Sequence, residues 1–147
     1  MIMGFKERVE TVSALVFEDP SEALRVLDEI ERDFPDEPQL SACKGSILVD
    51  VGSVLRHPHH VEEGINCLLH ALKEGYCGPK AHLLYNLGNG YAAQHSLQQQ
   101  GEGKHFRFHP DNSPLVKAKE CFLDATAEKE IFPQLRPQLL INWGNCL

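Results

Sequence analysis

A nine-residue phrase occurs twice in this chain. Residues 83–91 read Leu-Leu-Tyr-Asn-Leu-Gly-Asn-Gly-Tyr, and residues 139–147 read Leu-Leu-Ile-Asn-Trp-Gly-Asn-Cys-Leu. Leu, Leu, Asn, Gly and Asn recur at matching places. A repeat of this kind constrains the architecture before any local signal does, because each copy marks one unit that must stack on its neighbours to bury its apolar face. The second copy lies at the end of the 147 residues, so the chain is expected to stop inside a repeat and to be the N-terminal part of a longer protein.

The units read as helices. Phe5, Val9, Val12 and Val16 recur at helical spacing and predict a helix over residues 4–17. Asp19-Pro20-Ser21-Glu22 is a helix start. Asp19 is the cap, Pro20 suits the first helical position, and Glu22 can complete a capping box. Ala23, Leu27, Ile30 and Phe34 then line one face until Pro35 and Pro38 end it. Residues 39–55 carry β-branched Ile47, Val49, Val51 and Val54, but the length favours helix over strand. A break is expected at Arg56-His57-Pro58-His59-His60, followed by a helix marked by Ile65, Leu68, Leu69 and Leu72. A fifth helix is expected over 80–98, a sixth from Ser113-Pro114 and a seventh over 138–147. Residues 99–113, with Gly101, Gly103 and Pro110, read as an inserted loop. It is long for an array whose connections are mostly about 2–8 residues.

The helix pairs resemble the tetratricopeptide repeat, a helix-turn-helix unit of about 34 residues. Leu84, Leu87, Gly88 and Tyr91 match the first helix of that pattern, and Ala118, Phe122 and Ala125 match the second. Val51, Gly52 and Leu55 with Gly64, Leu68 and Ala71 form a weaker preceding copy. Ala23, Leu27 and Pro35 belong to a weaker one still, and Leu140, Trp143, Gly144 and Leu147 open a fourth. The resemblance implies an all-α fold in one domain over residues 1–147. It would be a right-handed α-solenoid of about three helix pairs plus the first helix of a further repeat. Gly88 and Ala118 would be small where backbones approach, with Tyr91 and Phe122 filling the gaps.

The resemblance also implies that the first helices of successive repeats line a concave groove. Asn86 and Asn89 are three apart and share a helix face, and Asn142 and Asn145 repeat that spacing. An amide side chain donates and accepts at once, matching the backbone of an extended peptide. His82 and Tyr85 adjoin the same face. These six residues are the candidate peptide-binding set, set against the alternative that the Asn-Gly-Asn spacing serves helix contacts alone. Tyr85 and Ile141 stand where a lysine would serve the family's clamp for acidic chain ends, so that docking mode is not expected.

Lys104, His105, Phe106, Arg107 and Phe108 form a basic, aromatic stretch in the inserted loop and a second candidate contact site. His57, His59 and His60 would share an edge of the array with His105 and His109. Imidazole is a common metal ligand, but no acidic or thiol partner stands at diagnostic spacing, so no metal is assigned. No phosphate loop, zinc-protease motif or nucleophile elbow is present. No cofactor is expected, and the chain reads as non-catalytic.

Charge bears on partners. Residues 1–75 hold fifteen acidic and seven basic side chains, the remainder six and seven. An acidic first half repels nucleic acid and anionic membrane. No apolar run approaches the roughly 18 residues of a membrane helix. Five cysteines, none in Cys-x-x-Cys spacing, read as small apolar residues in a reducing compartment. The expectation is a cytoplasmic scaffold that binds a protein or peptide, with self-association possible through its last helix. Two alternatives stand beside it. One is the sensing region of a larger effector enzyme; the other is a histidine-edge metal or phosphate sensor.

Overall fold

The computed structural model of the chain describes residues 4–74, 80–101 and 113–127. Six helices make up these residues: α1 Phe5–Glu18, α2 Pro20–Asp33, α3 Leu40–Leu55, α4 Pro58–Lys73, α5 Lys80–Gly101 and α6 Pro114–Ala127. There is no strand among the described residues, so the all-α expectation holds. The seventh helix lies outside them.

The connections follow from local chemistry. Asp19 alone separates α1 from α2. Its N–H donates to the Leu15 carbonyl at 2.7 Å, ending α1, and its carboxylate accepts from Glu22 N–H at 3.1 Å, capping α2. Only half of the expected capping box forms, because the Glu22 carboxylate is drawn to Arg25 instead. The expected break at 56–60 is shorter. Arg56 takes the left-handed conformation, φ 57°, and His57 N–H reaches the Gly52 carbonyl at 2.8 Å. Pro58 then opens α4, because its missing N–H is an unneeded donor at the first helical position. His59 and His60 therefore lie in the first turn of α4 and not in a loop. At the other boundary, α5 runs on through Gly101, three residues into the proposed insertion. Gln98, Gln99 and Gln100 are good helix formers and carry it there. Ser113 begins α6 as expected, its hydroxyl accepting from Val116 N–H at 3.3 Å.

The core is divided into three adjoining clusters. Val12, Val16, Ala23, Leu27, Ile30, Ile47, Leu48 and Val51 join α1, α2 and α3. Val49, Val61, Ile65, Leu68, Leu83 and Leu87 join α3, α4 and α5. Leu84, Ala118, Phe122 and Ala125 join α5 and α6. α3 and α5 each contribute to two clusters. That requirement explains why α3 is apolar nearly all round, as a helix covered on several sides must be. Neighbours pack in chain order, and α3 also touches α1 and α5.

Two close approaches fix the geometry. A Cβ on Gly45 would stand 2.8 Å from the Gly64 carbonyl oxygen, and one on Gly64 would stand 2.8 Å from the Gly45 carbonyl oxygen. The α3 and α4 backbones therefore meet. At Gly88 the occupant is a side chain, the Phe122 ring. On the outside of the first pair, Arg8 reaches Asp33 at 2.5 Å and lies 5.6 Å from the Phe34 ring centroid. Lys44 of α3 bridges Glu31 of α2 and Glu63 of α4, at 2.5 and 3.9 Å.

Candidate functional site

The contacts of α3 with α1 and α5 bring three odd-numbered helices side by side. Between them lies a cavity of about 160 Å³. Val9 and Ser13 line it from α1, Ala42, Cys43, Ser46 and Ile47 from α3, and Leu83 and Asn86 from α5. Its walls mix aliphatic carbon with two hydroxyls, a thiol and an amide. The volume is below the roughly 300–1,000 Å³ of typical small-molecule sites and suits a single aliphatic side chain.

Asn86 is the sequence-predicted residue that reaches this cavity. His82 and Asn89 stand four and three residues from it on α5, on the same helix face. All three are half-buried. Burial holds the His82 imidazole below its usual pKa, so its neutral form, one donor and one acceptor, is favoured. Tyr85 leans the other way. Its ring lies 6.2 Å from that of Phe122 and packs against the α5–α6 cluster. Asn142 and Asn145 lie outside the described residues, as do Lys104, His105, Phe106, Arg107 and Phe108.

The sequence reading missed the walls supplied by α1 and α3. Cys43, Asp50 and Val54 recur at helical spacing on the α3 face that carries Ser46 and Ile47 toward the cavity. Asp50 is the only charged residue between Gly45 and Leu55. It is exposed, and among the described residues it makes no ion pair or side-chain hydrogen bond. The surrounding protein nevertheless removes enough water to push its carboxyl up to about 6. A lone carboxylate inside an otherwise apolar helical run marks Asp50 in the sequence, but not the cavity one turn away from it. Phe17, one turn beyond Ser13 on α1, is 73% exposed, and Val54 is 39% exposed. Asp50 and Val54 thus continue the α3 face beyond the cavity, and Phe17 continues the α1 face, without lining the cavity themselves.

The cysteines among the described residues are poor nucleophiles. Burial raises the pKa of Cys43, Cys67 and Cys121, so the thiol form dominates at neutral pH. On the far side of α3, the His57 and His60 rings lie 5.0 Å apart at the start of α4. No group of three or more His, Cys, Asp or Glu that could hold a metal ion occurs among the described residues. His105 and His109 lie outside them. A second hollow, of about 330 Å³, lies where the α2–α3 turn meets the end of α4, with Asp36, Glu37, His70 and Glu74 in its wall. No helix among the described residues is long and apolar enough to cross a membrane.

In comparisons with known proteins, no family model, no curated protein and no solved structure matches this chain.

Proposed function

We propose that this chain is an α-solenoid of tetratricopeptide type whose groove holds a segment of another polypeptide, without catalysis. The fold reading is supported by packing between neighbours in chain order, by the three serial core clusters, and by the fit of Phe122 against Gly88. The observation that carries the binding reading is the cavity between α1, α3 and α5, with Asn86 in its wall and His82 and Asn89 beside it. An amide there satisfies a peptide N–H and C=O together, while the cavity takes one apolar side chain.

The test is to select peptides from a random display library on the immobilised full chain. Their footprint is then mapped by amide hydrogen exchange. Protection should fall on α1, α3 and α5. Asn86→Ala should weaken binding by about 0.5–1.5 kcal/mol, the usual worth of one hydrogen bond, with the thermal midpoint unchanged. Ser46→Trp, which fills the cavity, should abolish it. Peptides that protect α2, α4 and α6 instead, and that bind both variants normally, would refute the groove.

A further inference from the structure

The geometry points to a specific occupant of this groove: a polypeptide segment carrying an aliphatic side chain and, two residues along, an arginine or lysine that pairs with Asp50. This inference rests on the groove reading above and names its ligand chemistry.

The argument begins with position. Ser46 and Ile47 line the cavity, and Asp50 follows them on the same face of α3. One helical turn rises about 5.4 Å. Alternate side chains of an extended chain are about 6.6 Å apart on one side. A segment lying along α3 with an aliphatic group in the cavity therefore brings its second following side chain to Asp50. One turn beyond Asp50 on the same face of α3, exposed Val54 gives the stem of a long side chain an apolar surface to lie on.

Charge comes next. The cations with partners on the first four helices serve elsewhere. Arg8 is held by Asp33 and Glu29, Arg25 by Glu22 and Glu29, and Lys44 by Glu31 and Glu63. Asp50 has no such partner among the described residues, it is exposed, and the nearby protein raises its carboxyl. A cation from outside is the group that offsets it. Other ligands fit less well. A single carboxylate does not make a metal site, and the cavity is small for a cofactor. The acidic first half of the chain opposes phosphate-bearing partners and favours a basic one. Arginine is preferred to lysine because its fork engages both carboxylate oxygens.

The experiment uses the full chain and an array of random peptides of about eight residues, which comfortably span one such face. Each carries Leu-x-Arg, Leu-x-Lys, Leu-x-citrulline or Leu-x-Glu at its centre. Citrulline keeps the shape of arginine without its charge. The wild-type chain should bind the Arg set about tenfold more tightly than the citrulline set, with Lys between, since a charge-assisted hydrogen bond commonly contributes that much. Asp50→Asn should level the Arg and citrulline sets while still binding both. Asp36→Asn, the same charge change on the α2–α3 turn, should leave the preference intact. A preference that survives in Asp50→Asn, or falls equally in Asp36→Asn, overturns the inference in favour of general acidity. Binding in the groove without any cationic preference overturns it too, and leaves the groove reading standing. Failure of every set to bind removes both.

Discussion

The Phe122 ring of α6 fills the space where Gly88 of α5 lacks a side chain, and a Cβ there would stand 2.6 Å from Phe122 Cδ1. Phe122 is 1% exposed, so its ring has nowhere to retreat. Gly88→Ala should therefore destabilise the chain despite a gain of about 1 kcal/mol in helix propensity. Overpacking commonly costs about 1–3 kcal/mol, and the enclosed ring puts this site toward the upper end, leaving a net loss of up to roughly 2. Phe122→Ala should cost about 3–5 kcal/mol alone. The double variant should lose less than the sum, because the cavity left by Phe122 admits the new methyl. Urea unfolding of the four proteins measures this coupling directly.

Gly45 and Gly64 face each other across α3 and α4, and here the obstacle is backbone. The Gly64 carbonyl oxygen and the Leu68 nitrogen stand 2.8 and 3.0 Å from a Cβ on Gly45. Backbone has even less freedom to shift than an enclosed ring, so the helices must separate. Gly45→Ala and Gly64→Ala should each cost at least as much as Gly88→Ala, about 2–3 kcal/mol. Gly4→Ala is the control. Its new methyl meets the movable end of the Glu7 side chain and should be close to neutral. Equal thermal midpoints for all three would refute the close approach.

Ser113 caps α6 through its hydroxyl and is 6% exposed. Ser113→Ala should cost about 1 kcal/mol, and leaves the Val116 N–H without its acceptor. The loss should appear first as faster amide exchange over the opening turn of α6, with α1 to α4 unaffected. Uniform acceleration throughout the chain would mean instead that α6 unfolds only together with the other helices.

Helix positions were legible because caps and prolines act locally. Asp19-Pro20 and Ser113-Pro114 mark their boundaries in the sequence alone. The errors were also local. Arg56 shortened a turn by adopting the left-handed conformation that composition does not announce, and three glutamines extended α5 toward glycine. Asn86 was legible as a candidate because of its repeat spacing. Asp50 and Phe17 were not, because their significance depends on α1, α3 and α5 lying side by side. Helical periodicity shows which residues share a face of one helix. It does not show which faces of separate helices meet.

Asp50 also makes a stability prediction that is independent of any ligand. Its carboxyl is raised from 3.8 to about 6, so between those values the folded chain binds more protons there than the unfolded chain does. Stability then falls as pH rises through that window, and the cost is complete above about 6. Asp50→Asn keeps the shape and removes the charge. The side chain is exposed, so screening reduces the effect to at most about 1 kcal/mol of added stability near neutral pH. Near pH 4, where the carboxyl is already protonated in the folded state, the variant and wild type should unfold at nearly the same urea concentration. A structural carboxylate behaves in the opposite sense, and its loss destabilises most at neutral pH. Urea midpoints of the two proteins across this pH range separate the cases. A destabilised Asp50→Asn at pH 7 would mean that the carboxylate already has a partner within the folded chain and is not held available for an incoming cation.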